Sequence, residues 1–296
     1  MSLKVGIVGA AGYAGAELIR LVLGHPEFVL VAITSNADAG QPLSAVYPSF
    51  AGVSDLVFTT HDAPELKSCD AVFLAVPHTA AMAQVPALLA SGVSCFDLSA
   101  DYRLNDASVF ETWYAAEHTS PELLKTRAFG LPELFCRDLE TAASDHADGK
   151  PVLVACAGCY PTATSLAAAP AVRAGWVAEN GPVIVDAISG VTGAGKSCNA
   201  RTHFCSADEN LEAYGVGKHR HTPEIEQILD LTDRVVFTPH LAPLKRGLLS
   251  TVTMPLAPQA LDALALEDVV DHYKKFYAGR SFVRVLDAGQ QPKTAS

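Results

Sequence analysis

Cys159 stands between an apolar run and a helical stretch, in "VLVACAGCYPTATSLAAA". Proline suits the first turn of a helix, where no N–H is needed, so Pro161 puts Cys159 at or just before a helix N-terminus. The partial positive charge there lowers a thiol pKa and supplies thiolate, a nucleophile for acyl carbons. The plainer alternative is a buried structural thiol. Further on, "GKHRHTPEIEQIL" carries His219 and His221 ahead of Pro223 and Glu224, a helix start. An imidazole beside a thiol handles protons; histidines packed in a loop are the alternative. An H-x-H pair also binds metal, but no carboxylate or cysteine stands where it would complete a ligand set, and no metal is expected. Cys156 and Cys159 form a C-x-x-C, which allows a redox pair or half a zinc site. No second C-x-x-C completes a four-cysteine site.

A second chemistry is carried by glycines. "VGIVGAAGYAGAEL" spaces Gly9, Gly12 and Gly15 across a strand-to-helix turn, with Tyr13 and Ala14 opening the helix. Such a turn lets backbone approach a pyrophosphate at a helix N-terminus, so a dinucleotide is expected. The second strand ends "AITSN", with Thr34 and Ser35 where a carboxylate would hold the 2′-hydroxyl of NAD. This favours NADP, although Asp38 lies close behind. "SGVTGAGKS" matches the phosphate-binding pattern G-x-x-x-x-G-K-[ST] after an apolar strand. The following "SCNARTHFCSADEN" has little helical periodicity, and no strand-end Asp offers itself to magnesium, so a nucleotide hydrolase is not expected. Arg103 in "DLSADYRL" and Arg246 in "APLKRGLLS" suit capture of a carboxylate or phosphate, or a structural ion pair.

The elements that position these residues change along the chain. "LKVGIV", "FVLVAI", "DAVFLAVP", "VSCFDLSA" and "PVLVACAG" read as buried strands, with helices over "GAELIRLVLGHP" and "TAAMAQVPALLASG". That alternation predicts a parallel sheet with helices on both faces. "TAASDHADGK" reads as a loop. The second half offers longer strands, "PVIVDAIS", "DRVVFTPHLAPL" and "GLLSTVTMPLAP", a helix over "ALEDVVDHYKKFYAG" and a strand at "FVRVL". The expected fold is α/β: a Rossmann-like parallel-sheet domain over 1–155 for the cofactor, then an α+β catalytic and dimerisation domain with a mixed sheet over 156–296.

Composition sets outer limits. The 296 residues are 49% hydrophobic and 18% charged, enough to bury a core and too apolar for a disordered chain. A net charge of −11 argues against nucleic acid or an anionic membrane as partner. No apolar run approaches the ~18 residues of a membrane span, and "MSLKVGIVGAAGYAG" does not read as a secretory signal. Seven cysteines do not suggest a disulfide framework. A cytoplasmic protein with mostly buried thiols is expected.

Together these strings resemble the N-acetyl-γ-glutamyl-phosphate reductases, NADP-dependent enzymes of arginine biosynthesis. "GAAGYAGAEL", "DLSADYRL", "GLPEL", "AGCYPTA", "SGVTGAGKS", "HRHTPEIEQ" and "FTPHLAPLKRGLLSTV" run in family order over nearly the whole chain. "GCYPT" with "HRHTPEI" is the specific pair. The resemblance implies a small acyl phosphate as substrate, Cys159 as nucleophile, His219 as acid/base and Glu224 as its support. It makes Ser189 and Gly190 part of a loop facing nicotinamide and substrate, and implies a homo-oligomer. It also implies a further strand and helix after "QPKTAS" returning to the cofactor domain, so weaker cofactor binding is expected of these 296 residues alone. Aspartate-semialdehyde dehydrogenase, which lacks "HRHTPEI", and a reductase of a longer aminoadipyl phosphate stay open. So do a P-loop phosphohydrolase and a redox-sensing NADP-binding protein using Cys156 and Cys159. Calorimetry with Mg-ATP should show nothing beyond weak phosphate-like binding; micromolar affinity abolished by Lys196→Ala would restore the hydrolase.

Overall fold

The computed structural model describes residues 2–295. The chain forms two compact units: Met1–Gly130 with Phe135–Ala157, and Leu131–Leu134 with Gly158–Ser296.

The first unit strings together β1 (Leu3–Val8), α1 (Tyr13–Leu23), β2 (Phe28–Thr34), the short α2 (Leu43–Val46), β3 (Ala71–Leu74), α3 (Val85–Ala90), β4 (Ser94–Asp97), α4 (Ala107–Tyr114), β5 (Ala128–Gly130), α5 (Cys136–Ala147) and β6 (Leu153–Cys156). The six strands lie in the order β2-β1-β3-β4-β6-β5, every pair parallel. A parallel sheet is covered on both faces, so its strands are apolar throughout; Val5, Ile7, Val8, Val72, Leu74 and Cys95 are fully buried. The strand order reverses between β1 and β3. The carboxyl ends of strands at such a reversal form the crevice where open α/β sheets bind ligands.

Two expectations are corrected here. The supposed loop "TAASDHADGK" lies largely in α5, whose Leu139, Ala142, Ala143 and His146 form a stripe at helical spacing. Small alanines hid that stripe. The helix expected over 79–92 shrinks to α3. The amides of Thr79, Ala81 and Met82 donate instead to the buried Asp101 carboxylate, at 2.6, 3.0 and 3.1 Å. A side chain far along the sequence outcompetes the helical ladder. β5 was not foreseen: three residues give too little pattern.

The second unit comprises α6 (Cys159–Arg173), β7 (Val183–Gly190), α7 (Phe204–Ala207), the two-residue β8 (Glu212–Ala213), α8 (Thr222–Leu229), β9 (Val235–Ala242), β10 (Leu248–Thr253), α9 (Pro258–Leu261) and α10 (Leu266–Phe276). Its sheet runs β10-β7-β9-β8, with β7 and β9 parallel and the outer pairs antiparallel. The mixed sheet is as expected. Along β7, Val183, Val185 and Ala187 are fully buried while Ile184 between them is 39% exposed. Its neighbour on β9, Val236, is 52% exposed. α6 packs against β10 and α8 on the covered side. "FVRVL" forms no strand: it finds no ladder partner among the described residues, and Phe282 is exposed. No helix begins at Lys196. A single 3-10 turn, Val191–Ala194, is followed by turns up to the four-residue α7. The phosphate-loop spelling therefore lacks the helix N-terminus that gives it force.

The turn after β1 is built of glycine for steric reasons. Gly9 has φ +78°, and a Cβ there would lie 2.4 Å from the Ala75 carbonyl oxygen just past β3. A Cβ on Gly15 would lie 2.5 Å from the Gly9 oxygen, whereas one on Gly12 would meet that oxygen at an ordinary 3.5 Å. Gly15→Ala gains roughly 1 kcal/mol of helix propensity, but a backbone collision at this distance outweighs it, with overpacking costing about 1–3 kcal/mol. The expected result is a melting temperature several degrees lower for Gly15→Ala and nearly unchanged for Gly12→Ala. Equal melting of the two variants would refute the steric account.

Candidate functional site

The nucleophile candidate sits in the first turn of α6. Gly158 is the N-cap, with extended backbone and no side-chain cap, and Cys159 follows as the first helical residue, exposed to solvent. The Gly158 amide donates to Glu224 Oε1 at 2.8 Å. Glu224 comes from the first turn of α8 and is 1% exposed. One buried carboxyl group thus joins the starts of two helices. Glu224, expected to support His219, also fixes the turn that carries the cysteine. All seven cysteines are free thiols. Cys156, the last residue of β6, has its thiol pushed up to about 12 by burial, with the Asp97 charge adding to it.

The histidines enter beside Tyr160. The edge of the Tyr160 ring meets His219 at 5.7 Å between centroids, and Tyr214, Phe237 and His221 enclose the same imidazole at 5.4, 5.2 and 4.9 Å. The His221 backbone amide donates to His219 Nδ1 at 3.1 Å. Burial, with the nearby Arg220 charge adding to it, drives the His219 pKa down to about 4, so the ring is neutral at pH 7. Tyr214 donates to the Tyr160 hydroxyl at 3.2 Å, and Tyr160 donates to the His240 carbonyl at 3.1 Å. Burial raises both phenols, which stay protonated, and each feels the Cys159 charge. Cysteine and imidazole therefore share the Tyr160–Tyr214 pair as a wall. Ser189, near the end of β7, lies close enough to the Tyr160 phenol to oppose part of the rise in its pKa. The adjoining Gly190 backs onto the β9–β10 turn: a Cβ on it would lie 2.8 Å from the Leu244 oxygen and 3.1 Å from the Arg246 nitrogen. Arg246 is exposed on that turn. Tyr160 was quoted in the sequence only as context, and Tyr214 had no motif to flag it.

Arg103 has a different setting from a substrate arginine. It is 8% exposed. Its Nε donates to the Cys156 carbonyl at 2.8 Å and its Nη2 to the Leu98 carbonyl at 2.7 Å, tying the end of β6 to the end of β4. Asp97 and Asp101 flank it. Burial raises Asp97 to about 6 against the hydrogen bonds from Ser99. Arg103 is thus part of the framework beneath the β4 and β6 ends.

The glycine turn fits a pyrophosphate. α1 begins after Gly12 with no side-chain cap and no acidic residue in its first turn, so its amides and positive end are open to an anion. Tyr13 and Ala14 are its first residues. The Tyr47 hydroxyl donates to the Ala11 carbonyl at 2.8 Å and steadies the turn; sequence periodicity gave no hint of it. At the end of β2, the Thr34 hydroxyl pairs with His61 Nδ1 at 2.7 Å and the Ser35 hydroxyl donates to Asp38 at 2.6 Å. Among the described residues no cluster of three or more His, Cys, Asp or Glu could hold a metal ion, and no helix is long and apolar enough to cross a membrane.

Comparison with known proteins agrees with this division of labour. Residues 4–142 match the NAD-binding domain of semialdehyde dehydrogenases, and residues 159–296 match their dimerisation domain. Proteins named N-acetyl-gamma-glutamyl-phosphate reductase from Symbiobacterium thermophilum and Syntrophobacter fumaroxidans are each 45% identical, over 99% of this chain and 82% of their own. One from a Janthinobacterium strain is 44% identical over the same shares. Among solved structures, the aspartate semialdehyde dehydrogenase of Candida albicans, crystallised with NADP, is similar with a TM-score of 0.65 at 17% identity, over 92% of this chain and 76% of that one. A Vibrio cholerae aspartate semialdehyde dehydrogenase gives 0.64 at 14%, over 88% and 78%. Those two likenesses concern the fold alone. By its sequence identity over nearly its whole length, with the cysteine turn and the histidine-bearing helix start in place, the chain belongs to the N-acetyl-γ-glutamyl-phosphate reductase family.

Proposed function

We propose that the protein reduces N-acetyl-L-glutamyl 5-phosphate to N-acetyl-L-glutamate 5-semialdehyde with NADPH, releasing phosphate, in arginine biosynthesis. The observation that carries this is Cys159 in the first turn of α6, in a chain 45% identical to proteins named for that reduction. The α6 N-terminus favours the thiolate. Its sulfur adds to the acyl carbon, the phosphate leaves with the C–O electron pair, and a thioester on Cys159 results. When bound, the reduced nicotinamide supplies the hydride that takes the thioester to the aldehyde level. Glu224 holds the Gly158 turn still, and His219 serves the acyl oxygen and its proton.

Gly9, Gly12, Tyr13, Ala14 and Gly15 are the residues for the cofactor pyrophosphate, and Ser189 with Gly190 for the nicotinamide side. Thr34 and Ser35 favour NADP over NAD, because the carboxylate nearest the strand end, Asp38, already accepts from Ser35. Arg246 and His221 are the substrate-side candidates. The dimerisation-domain match and the exposed Ile184–Val236 face of the sheet support a homo-oligomer. The acidic net charge speaks against nucleic acid and anionic membranes as partners. Seven free thiols suit a reducing compartment such as the cytoplasm.

The decisive assay runs the reaction backwards and follows nicotinamide absorbance with phosphate and a panel of semialdehydes. N-acetylglutamate semialdehyde should be preferred over aspartate and N-acetylaminoadipate semialdehydes; a preference for either of the others reassigns the substrate. NADPH should bind more tightly than NADH, with Ser35→Asp reversing the order, and equal affinities would remove the NADP assignment. Cys159→Ser should abolish turnover, and His219→Asn should lower it by about 10²–10⁴ with the fold intact. Iodoacetamide should label Cys159 first among the thiols at neutral pH, with acyl phosphate protecting it. Substantial activity in Cys159→Ser would end the covalent mechanism.

A further inference from the structure

We infer that His219 is a hydrogen-bond donor locked in one tautomer, with the backbone amide of His221 holding Nδ1 and the proton confined to Nε2. This rests on the assignment of Cys159 and His219 to the reaction and sharpens the imidazole's part in it.

A neutral imidazole has one nitrogen that donates and one that accepts. The His221 amide can only donate, and it lies 3.1 Å from His219 Nδ1. Nδ1 must therefore present its lone pair, and the proton of the neutral ring belongs to Nε2. The ring is held against turning over. Four aromatic rings surround it, and its Cδ2 edge lies against Gly215, where even a Cβ would come within 3.2 Å. A half-turn would set the His221 amide against carbon and bring Nδ1 to the Gly215 side.

With Nδ1 engaged, a further proton can enter only at Nδ1, which breaks that hydrogen bond and makes the ring a cation. The cation is disfavoured by burial, which takes the pKa to about 4. Titratable groups beside the ring include Tyr160, Tyr214, Arg220 and His221, with Cys159 on the same Tyr160–Tyr214 wall; both phenols stay neutral, and Arg220 opposes a second positive charge. Burial and the Arg220 charge both oppose an imidazolium here. The α6 N-terminus favours the Cys159 thiolate.

The locked Nε2–H suits a different task. When the thiolate adds, the S–C bond forms and the C=O π pair moves onto oxygen. That pair returns as the C–O bond to phosphate breaks, and the phosphate takes its proton from water. A donor that keeps its hydrogen stabilises the oxygen's transient charge without any net proton transfer. The same oxygen gathers charge again when the thioester is reduced.

The test is an imidazole ¹⁵N spectrum of the free protein at pH 7, without substrate or cofactor. His219 signals are assigned by comparison with His219→Asn, or through the Lys218–His219 pair, a sequence that occurs once in the chain. The expected pattern is a neutral ring protonated at Nε2. His221→Ala keeps the amide and should keep the pattern. His221→Pro removes the amide; φ of −83° at this position suits proline. That variant should mix the tautomers and lower kcat about tenfold or more below His221→Ala, with KM little changed. A ring protonated at Nδ1, or doubly protonated at pH 7, in the unmodified protein overturns the inference. So does a His221→Pro protein whose tautomer and kcat match those of His221→Ala. The spectrum is independent of turnover, so it stands or falls separately from the Cys159→Ser result.

Discussion

The hydrogen bond from the Gly158 amide to the buried Glu224 carboxyl is the interaction on which the catalytic half depends. A carboxyl group removed from water needs polar partners, and here one of them is the cap amide of another helix. Both helices gain from it, because each presents its positive end to the same acidic group. The consequence is positional. α8 begins where the histidine segment ends, and α6 begins with the cysteine, so fixing one helix start against the other brings imidazole and thiol to the same aromatic wall. Losing the carboxyl would leave a buried amide unpaired, a cost of about 1–3 kcal/mol.

The dinucleotide half uses buried charge in a related way. Asp101 gathers three amides that would otherwise open a helix, and Arg103 binds the carbonyls at the ends of two strands. Both come from a segment that reads, as a string, like a substrate-binding motif. Its charged residues turn inward to stiffen the strand ends. Arg246, by contrast, is exposed on the β9–β10 turn.

What could be read from the chain and what could not divide along physical lines. The parallel strands were legible because both faces are buried and the apolar runs are unbroken. The glycine turn was legible because sterics leave no other residue at Gly9 and Gly15. Cys159 was legible because Pro161 marks a helix start. α5 was missed because its stripe is only partly buried and mixes Leu139 and His146 with small alanines, and the helix over 79–92 was overextended because Asp101, far along the sequence, takes its amides. "FVRVL" has a strand's composition but no ladder. Tyr160 and Tyr214 gave no signal, since what matters is a ring-to-ring arrangement that spacing does not encode. The phosphate-loop spelling was the reverse case, a correct string without the helix it needs.

Fewer thiols are buried than the sequence suggests, since three of the seven are exposed, and this uneven burial has a bearing on how the protein ages. Cys69, Cys95 and Cys156 are driven by desolvation to about 11, 12 and 12. At neutral pH fewer than about one in a thousand of each is a thiolate, and peroxide and electrophiles attack thiolates. Oxidative wear therefore falls on the exposed Cys159, Cys198 and Cys205. Of these, Cys159 stands in the first turn of α6, whose positive end favours its thiolate. Overoxidation there to a sulfinic acid would set a permanent negative charge at the start of α6 while leaving the core intact, so exposure at a helix start decides where each molecule is first damaged.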